Sequence, residues 1–144
     1  MKLTLYSDYS LRVLMFLATR HHLTQIDEIA VFYRISKNHL TKVVHHLATL
    51  GYITTVRGRG GGIRLKLKPE EINVGSLIRK TEENFTLVEC FNPETNTCPL
   101  IGHCGLERVL GEALFAYINV LDQYTLADVT SGYRIQALDH TQDN

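Results

Sequence analysis

From Tyr52 to Val56 the chain is β-rich, Arg57-Gly-Arg-Gly-Gly-Gly62 follows, and Ile63 to Leu67 then alternates apolar residues with Arg64 and Lys66. Alternation at a period of two marks a half-buried strand, and glycines between two such runs make a reversal of the chain. The segment therefore reads as a hairpin with a cationic tip. A nucleotide phosphate loop does not fit: no Lys-Ser/Thr pair ends the glycine run, and the glycines join two strands instead of leading into a helix. Glycine also lets backbone approach a narrow surface without Cβ collisions.

Three helical patterns precede the hairpin. Ser7 is placed to cap the first, whose apolar positions are Leu11, Leu14, Met15, Leu17 and Ala18, ending before His21-His22. Thr24 is placed to open the second, with Asp27 in a capping-box position and Ile26, Ile29, Ala30 and Phe32 as the buried face, ending near Tyr33. Ser36 caps the third, in which Leu40, Val43, Val44, Leu47 and Leu50 form the inward stripe and Gly51 terminates the helix. Lys37, Asn38, His39, Thr41, Lys42, His45 and His46 are left facing outward.

Two short helices joined by a tight turn, the second polar at its start, match the helix-turn-helix pattern, in which the start of the second helix meets base edges and phosphates. With the hairpin added, the expected fold is mainly α with a small β-hairpin wing: a winged helix-turn-helix. Lys37, Lys42, Arg57 and Arg59 are expected on phosphates and in grooves, Asn38 and His39 nearest bases, with Ser36 and Arg64 completing the surface.

Charge agrees with this placement. The net charge of zero over 144 residues conceals eleven Lys or Arg against three acids in residues 1–68, a net +8, and four against twelve in residues 69–144, a net −8. An acidic partner belongs to the first half. Five of the seven histidines also lie there, so its positive field grows as pH falls through the histidine range.

Downstream, Cys90, Cys98 and Cys104 sit in one Gly/Pro/Asn/Thr-rich stretch, separated by seven and five residues. That spacing is too wide for a zinc knuckle or a redox CxxC, and three thiols leave one unpaired in any disulfide scheme. Thiols on a flexible loop can converge on a soft metal or an iron-sulfur cluster; zinc held by the three thiolates and His103 is also compatible.

Pro69 marks a boundary before the loop, and Asn73 caps a helix through Val74, Leu77 and Ile78. After it, Leu106, Val109, Leu110, Ala113, Leu114, Tyr117, Ile118 and Leu121 form a stripe of over four turns, longer than a lone helix beside so small a core needs. Pairing with another copy of the chain is the expected use, against packing on the first helix as the alternative. The organisation expected is residues 1–68 as the DNA-binding unit, 69–83 a connecting helix, 84–104 the cysteine loop, 105–124 a dimerisation helix, and 125–144 a C-terminal segment ending in a loose polar tail. No apolar run approaches the ~20 residues of a membrane span. Tyr6, Ser7 and Asp8 interrupt any apolar signal core, so a cytoplasmic location with no membrane partner is expected. No Cys-His-Asn or Ser-His-Asp set is suggested by local spacing, which argues against an enzyme.

The chain resembles the winged-helix iron-sulfur regulators, the family of IscR and NsrR, over almost its whole length. The residues that carry the likeness are Leu3-Thr4, Asp8-Tyr9-Ser10-Leu11-Arg12, Ile35-Ser36-Lys37-Asn38-His39-Leu40, Gly51-Tyr52-Ile53, Arg57-Gly58, Gly61-Gly62-Ile63-Arg64-Leu65, the three cysteines, and Leu121 to Asp128. IscR-like members place a histidine three residues after the last cysteine, where this chain has Glu107. The resemblance thus points to the NsrR-like branch and implies a 4Fe-4S cluster, with 2Fe-2S as the lesser alternative. It also implies Cys90, Cys98 and Cys104 as ligands, with Asp8 from the partner subunit as the fourth. The gap between Cys90 and Cys98 is wider than is usual there.

What the resemblance implies is a homodimeric repressor of a palindromic operator on double-stranded DNA, released when nitric oxide reacts with the cluster. A carboxylate is a harder and more labile donor to iron than a thiolate, so Asp8 would be the weak point. Arg12, one helical turn later, is placed to pair with Asp8. Regulators that sense iron or oxidants through the same loop, and a cluster-free dimeric scaffold, share many of these features.

Overall fold

The hairpin and its three helices form as a unit in the computed structural model, which describes residues 2–132. The expected polar tail, Asp139 to Asn144, lies outside the described residues. Helix α1 spans Leu5–Ala18, α2 Ile26–Tyr33, α3 Lys37–Thr49; strands β1 (Ile53–Val56) and β2 (Gly62–Leu65) follow, then α4 (Val74–Thr81), α5 (Gly105–Asp122) and α6 (Leu126–Thr130). The strands pair antiparallel with Ile53 opposite Leu65 and Val56 opposite Gly62. Thr24 adds a bridge to Ile63, with N–H···O bonds of 2.9 Å in both directions.

Two helix starts differ from the expectation. The cap of α1 is Thr4, whose hydroxyl accepts the Ser7 N–H at 3.2 Å. Ser7 is instead buried inside the helix, its own hydroxyl donating to Thr81 Oγ1 at 2.8 Å. The cap of α2 is Gln25, not Thr24, and it is Glu28, not Asp27, that accepts the Gln25 N–H, at 2.9 Å. Thr24 cannot serve both ends because its backbone is committed to Ile63. The Ser36 and Asn73 caps are as expected, accepting from His39 N at 3.2 Å and Ser76 N at 2.8 Å.

Val13, Leu14, Phe16 and Leu17 of α1 meet Ile29 of α2, Leu40, Val43, Val44 and Leu47 of α3, and Ile53 and Ile63 of the hairpin. Each fully buried side chain of this size contributes about 1.5–3 kcal/mol relative to exposure. The core does not stop at Pro69. Ile72, Leu77 and Leu126 belong to the same cluster, so the chain turns at Pro69–Glu71 without leaving the core. One outward and one inward assignment change: His46, expected outward, is half-buried and hydrogen-bonds the Tyr6 hydroxyl, and Phe32, expected on the buried face, is 36% exposed at the core's edge against Phe16 and Tyr33.

Helix α5 is different in kind. None of its residues is fully buried, and Leu106, Val109, Phe115 and Val120 are at least half exposed. Its principal neighbour is α4, not α1. Leu110, Leu114, Tyr117, Ile118 and Leu121 of the expected stripe are half-buried, while Leu106 and Val109 on it and Phe115 and Val120 beside it are left as exposed apolar surface.

Candidate functional site

The turn between α2 and α3 is sharp because Arg34 adopts the left-handed conformation, φ 54°, the one non-glycine residue among those described with a positive φ. It delivers Ser36 and the first turn of α3 to the surface. Lys37, Asn38, His39 and Lys42 are all exposed there. Lys37 forms an ion pair with Asp27 at 2.7 Å, and the His39 ring lies 6.4 Å from that of Tyr9. At the wing tip Gly58 and Gly60 take φ of 96° and 76°, and Gly61 N–H closes the turn on Gly58 O at 3.0 Å. Arg57 and Arg59 stand exposed on that turn, and Arg64 projects outward from β2 opposite Thr54. Among the described residues, no acid pairs with Lys42, Arg57, Arg59 or Arg64. Unneutralised cations on α3 and a neighbouring wing form an anion-binding surface of the kind phosphate backbones select.

The wing tip sits close to the body for a steric reason. A Cβ at Gly62 would lie 2.8 Å from the Thr24 carbonyl oxygen, and one at Gly61 would lie 2.2 Å from that of Val56. Gln25 reaches across to hydrogen-bond the Gly61 carbonyl. These glycines are packing positions as well as flexible ones.

The cysteine loop closes on itself. Glu89 Oε1 accepts from Thr97 N at 2.7 Å and Thr97 Oγ1 at 2.6 Å, which draws the residue before Cys90 to the residue before Cys98. Those bonds hold the Glu89 carboxyl below its ordinary pKa. Asn96 Oδ1 accepts the Cys98 N–H at 3.0 Å. Cys104 is the residue from which α5 starts, after a turn in which Gly102 N–H donates to Glu107 at 3.2 Å. All three thiols are half-buried. Burial pushes the Cys90 thiol up, and the charges of Glu107, Cys98 and Cys104 push it the same way. His103 is exposed.

Three soft donors in one closed loop suit an iron-sulfur cluster and leave a coordination position to be filled from outside the loop. Among the described residues of a single chain, no set of three His, Cys, Asp or Glu side chains forms a ready metal cage. Within the chain, Asp8 is bound to Arg12, at 3.0 Å to Nε and 2.9 Å to Nη2. This hydrogen bond raises the Arg12 pKa. Asp8 remains about one-third exposed, on the first turn of α1.

Sequence reasoning missed the ties that join these parts. Glu82, where the cysteine loop departs from α4, accepts from Thr4 N at 2.9 Å and Thr4 Oγ1 at 3.0 Å, clipping the loop to the start of α1. Burial pushes the Glu82 carboxyl up, but the hydrogen bonds it accepts, those from Thr4 among them, outweigh it and hold the carboxyl below its ordinary value. Arg79 grips Asp122 through its two terminal guanidinium nitrogens, at 2.6 and 2.5 Å. No local window carries a signal for pairs so distant in sequence.

A helix-turn-helix, an adjoining cationic wing and a polar, exposed recognition surface define a winged-helix DNA-binding transcriptional regulator. The chain belongs to the Rrf2 family, described as iron-dependent transcriptional regulators, whose family model matches residues 3–132. It is 60% identical over 131 residues to an HTH-type transcriptional regulator NsrR of Bacillus licheniformis, covering 90% of this chain and 92% of that one. To the regulator of the same name in Bacillus subtilis it is 57% identical, covering 90% of each. Among solved structures it is similar to CymR, the global cysteine regulator of B. subtilis, at 27% identity and a TM-score of 0.75, covering 92% of this chain and 98% of that one. These relatives are transcriptional regulators and not enzymes, as expected from the sequence.

Proposed function

We propose that this chain is a homodimeric, cytoplasmic repressor that holds an iron-sulfur cluster and releases a palindromic operator in response to nitric oxide. The observation that carries the reading is that the thiol loop ends at Cys104, the foot of a helix that leaves Leu106, Val109, Phe115 and Val120 exposed. Cofactor site and dimer contact are therefore one continuous element. Cys90, Cys98 and Cys104 of one subunit and Asp8 of its partner would hold the group, of 4Fe-4S type. When bound, the cluster supplies iron with which nitric oxide reacts.

The remaining steps belong to side chains. Asp8, engaged by the partner's thiol loop, ties one DNA-reading head to the other subunit and fixes the separation of the two α3 helices. Lys42, Arg57, Arg59 and Arg64 then meet phosphates on both half-sites, with Lys37 beside them and Ser36, Asn38 and His39 nearest the bases. Arg12, which pairs with Asp8 in this chain, orients that carboxylate. Once Asp8 is released, the half-site separation is no longer held, and a tenfold loss of affinity needs only ~1.4 kcal/mol.

Replacing Cys98 with Ala in anaerobically prepared protein should abolish cluster absorbance and tight operator binding together. Tight binding that survives loss of the cluster would overturn this direction of control. Exposing the loaded protein separately to nitric oxide, oxygen and an iron chelator identifies the signal; release by chelator or oxygen ahead of nitric oxide would favour an iron or redox sensor.

A further inference from the structure

We infer that the joint between α4 and the end of α5 sets the separation of the two DNA-reading heads, with Arg79, Asp122 and Gly75 as positioning residues; this rests on the dimeric repressor reading above. Helix α5 leans chiefly on α4, and its far end carries Cys104. Near Asp122 the contact becomes a lock. The Arg79 fork meets both Asp122 oxygens, and Asn73 Nδ2 donates to the Asp122 carbonyl at 2.7 Å. A Cβ at Gly75 would stand 2.0 Å from Asp122 Oδ1 and 3.0 Å from its backbone nitrogen, so a larger residue there would push the Asp122 carboxylate from its place and press on α5. Just beyond, Leu126 N–H donates to Ile72 O at 2.7 Å and the Leu126 side chain enters the core.

One end of α5 is thereby fixed to the DNA-binding body, while the other carries Cys104 and the exposed Leu106 and Val109. Its 18 residues make a rod of ~27 Å. A tilt of ~7° at the locked end moves the far end by ~3 Å, about the rise of one base pair. The paired guanidinium and carboxylate planes resist that tilt through their geometry, beyond what their charges alone would do. The lock therefore acts on tolerance of half-site spacing more than on affinity for the best site.

The test uses full-length protein, loaded and handled without air, on a dyad site selected from random duplexes and on versions with the centre lengthened or shortened by one base pair. The unaltered protein should lose about tenfold or more in affinity at either changed spacing. Arg79→Met and Gly75→Ala should each cut that penalty to below about threefold, while binding to the best spacing and cluster absorbance stay near those of the unaltered protein. Arg79→Lys, which keeps the charge without the fork, should fall between. Should Gly75→Ala fail to fold, the exposed Arg79 variants carry the test. A full spacing penalty in Arg79→Met, or an equal loss of affinity at every spacing, would overturn the inference. Indifference to spacing in the unaltered protein would instead overturn the fixed-separation reading on which it rests.

Discussion

Asp27→Asn should tighten operator binding while slightly weakening the fold. Lys37, the first residue of α3, is neutralised by Asp27 at 2.7 Å, and both side chains are more than half exposed. An exposed pair of this kind is worth ~0–1 kcal/mol, so a phosphate can compete for the lysine, but the carboxylate subtracts from the attraction. Removing it in both subunits should gain up to ~2 kcal/mol, about thirtyfold at low salt. Two additional free cations per dimer should steepen the dependence of log K on log salt by ~1.8. From 50 to 200 mM salt that slope would erase the advantage by about twelvefold. In the other direction, Asp27 lies in the first turn of α2, where a carboxylate favours the helix by ~0.3–1 kcal/mol. Fluorescence anisotropy with a labelled operator across a salt series, with thermal melting alongside, measures both. A stably folded Asp27→Asn protein with an unchanged salt slope would show that Lys37 does not reach the DNA backbone.

Arg57→Gln and Arg59→Gln should each flatten the same slope by ~0.9 for every phosphate left unneutralised, equally on specific and unrelated duplexes. Gly62→Ala forces a Cβ against the Thr24 carbonyl and should cost ~1–3 kcal/mol, read as a Tm several degrees lower, with weaker DNA binding because the wing is displaced. For Glu82 the carboxyl is held below its ordinary value of 4.5, so its stabilisation is present above that pH and lost as pH falls through the lower folded value. Glu82→Gln should therefore melt below the unaltered protein near neutral pH, and the difference should close as pH drops below 4.5; a gap that persists in acid would mean that the Thr4 clip does not depend on charge.

The recognition helix was legible because its signals are local: Ser36, the Leu40-to-Leu47 stripe and Gly51 all act within a few residues of one another. The hairpin was legible for the same reason. Ser7 and Thr24 misled because each looks like a cap in its own window but is claimed by a remote partner, Thr81 for the one and Ile63 for the other. His46 read as outward until Tyr6 of α1 was set beside it. At the candidate cofactor site the spacing of the thiols was visible, but the Glu89–Thr97 clasp that closes the loop was not, since neither residue type is diagnostic. The stripe on α5 was visible as apolar; that Leu106 and Val109 on it, with Phe115 and Val120 beside it, stay exposed within one chain could only be seen once α4 was in place.

Mixed dimers test most directly whether the fourth ligand crosses the subunit boundary. A dimer of one Asp8→Ala chain and one Cys98→Ala chain retains one complete site, three thiols from the first chain and Asp8 from the second; a dimer of one doubly substituted chain and one unaltered chain retains none. Operator titrations of both, without air and before and after nitric oxide, should show tight binding that nitric oxide releases in the first dimer alone. Identical behaviour of the two dimers would contradict a ligand donated across the interface.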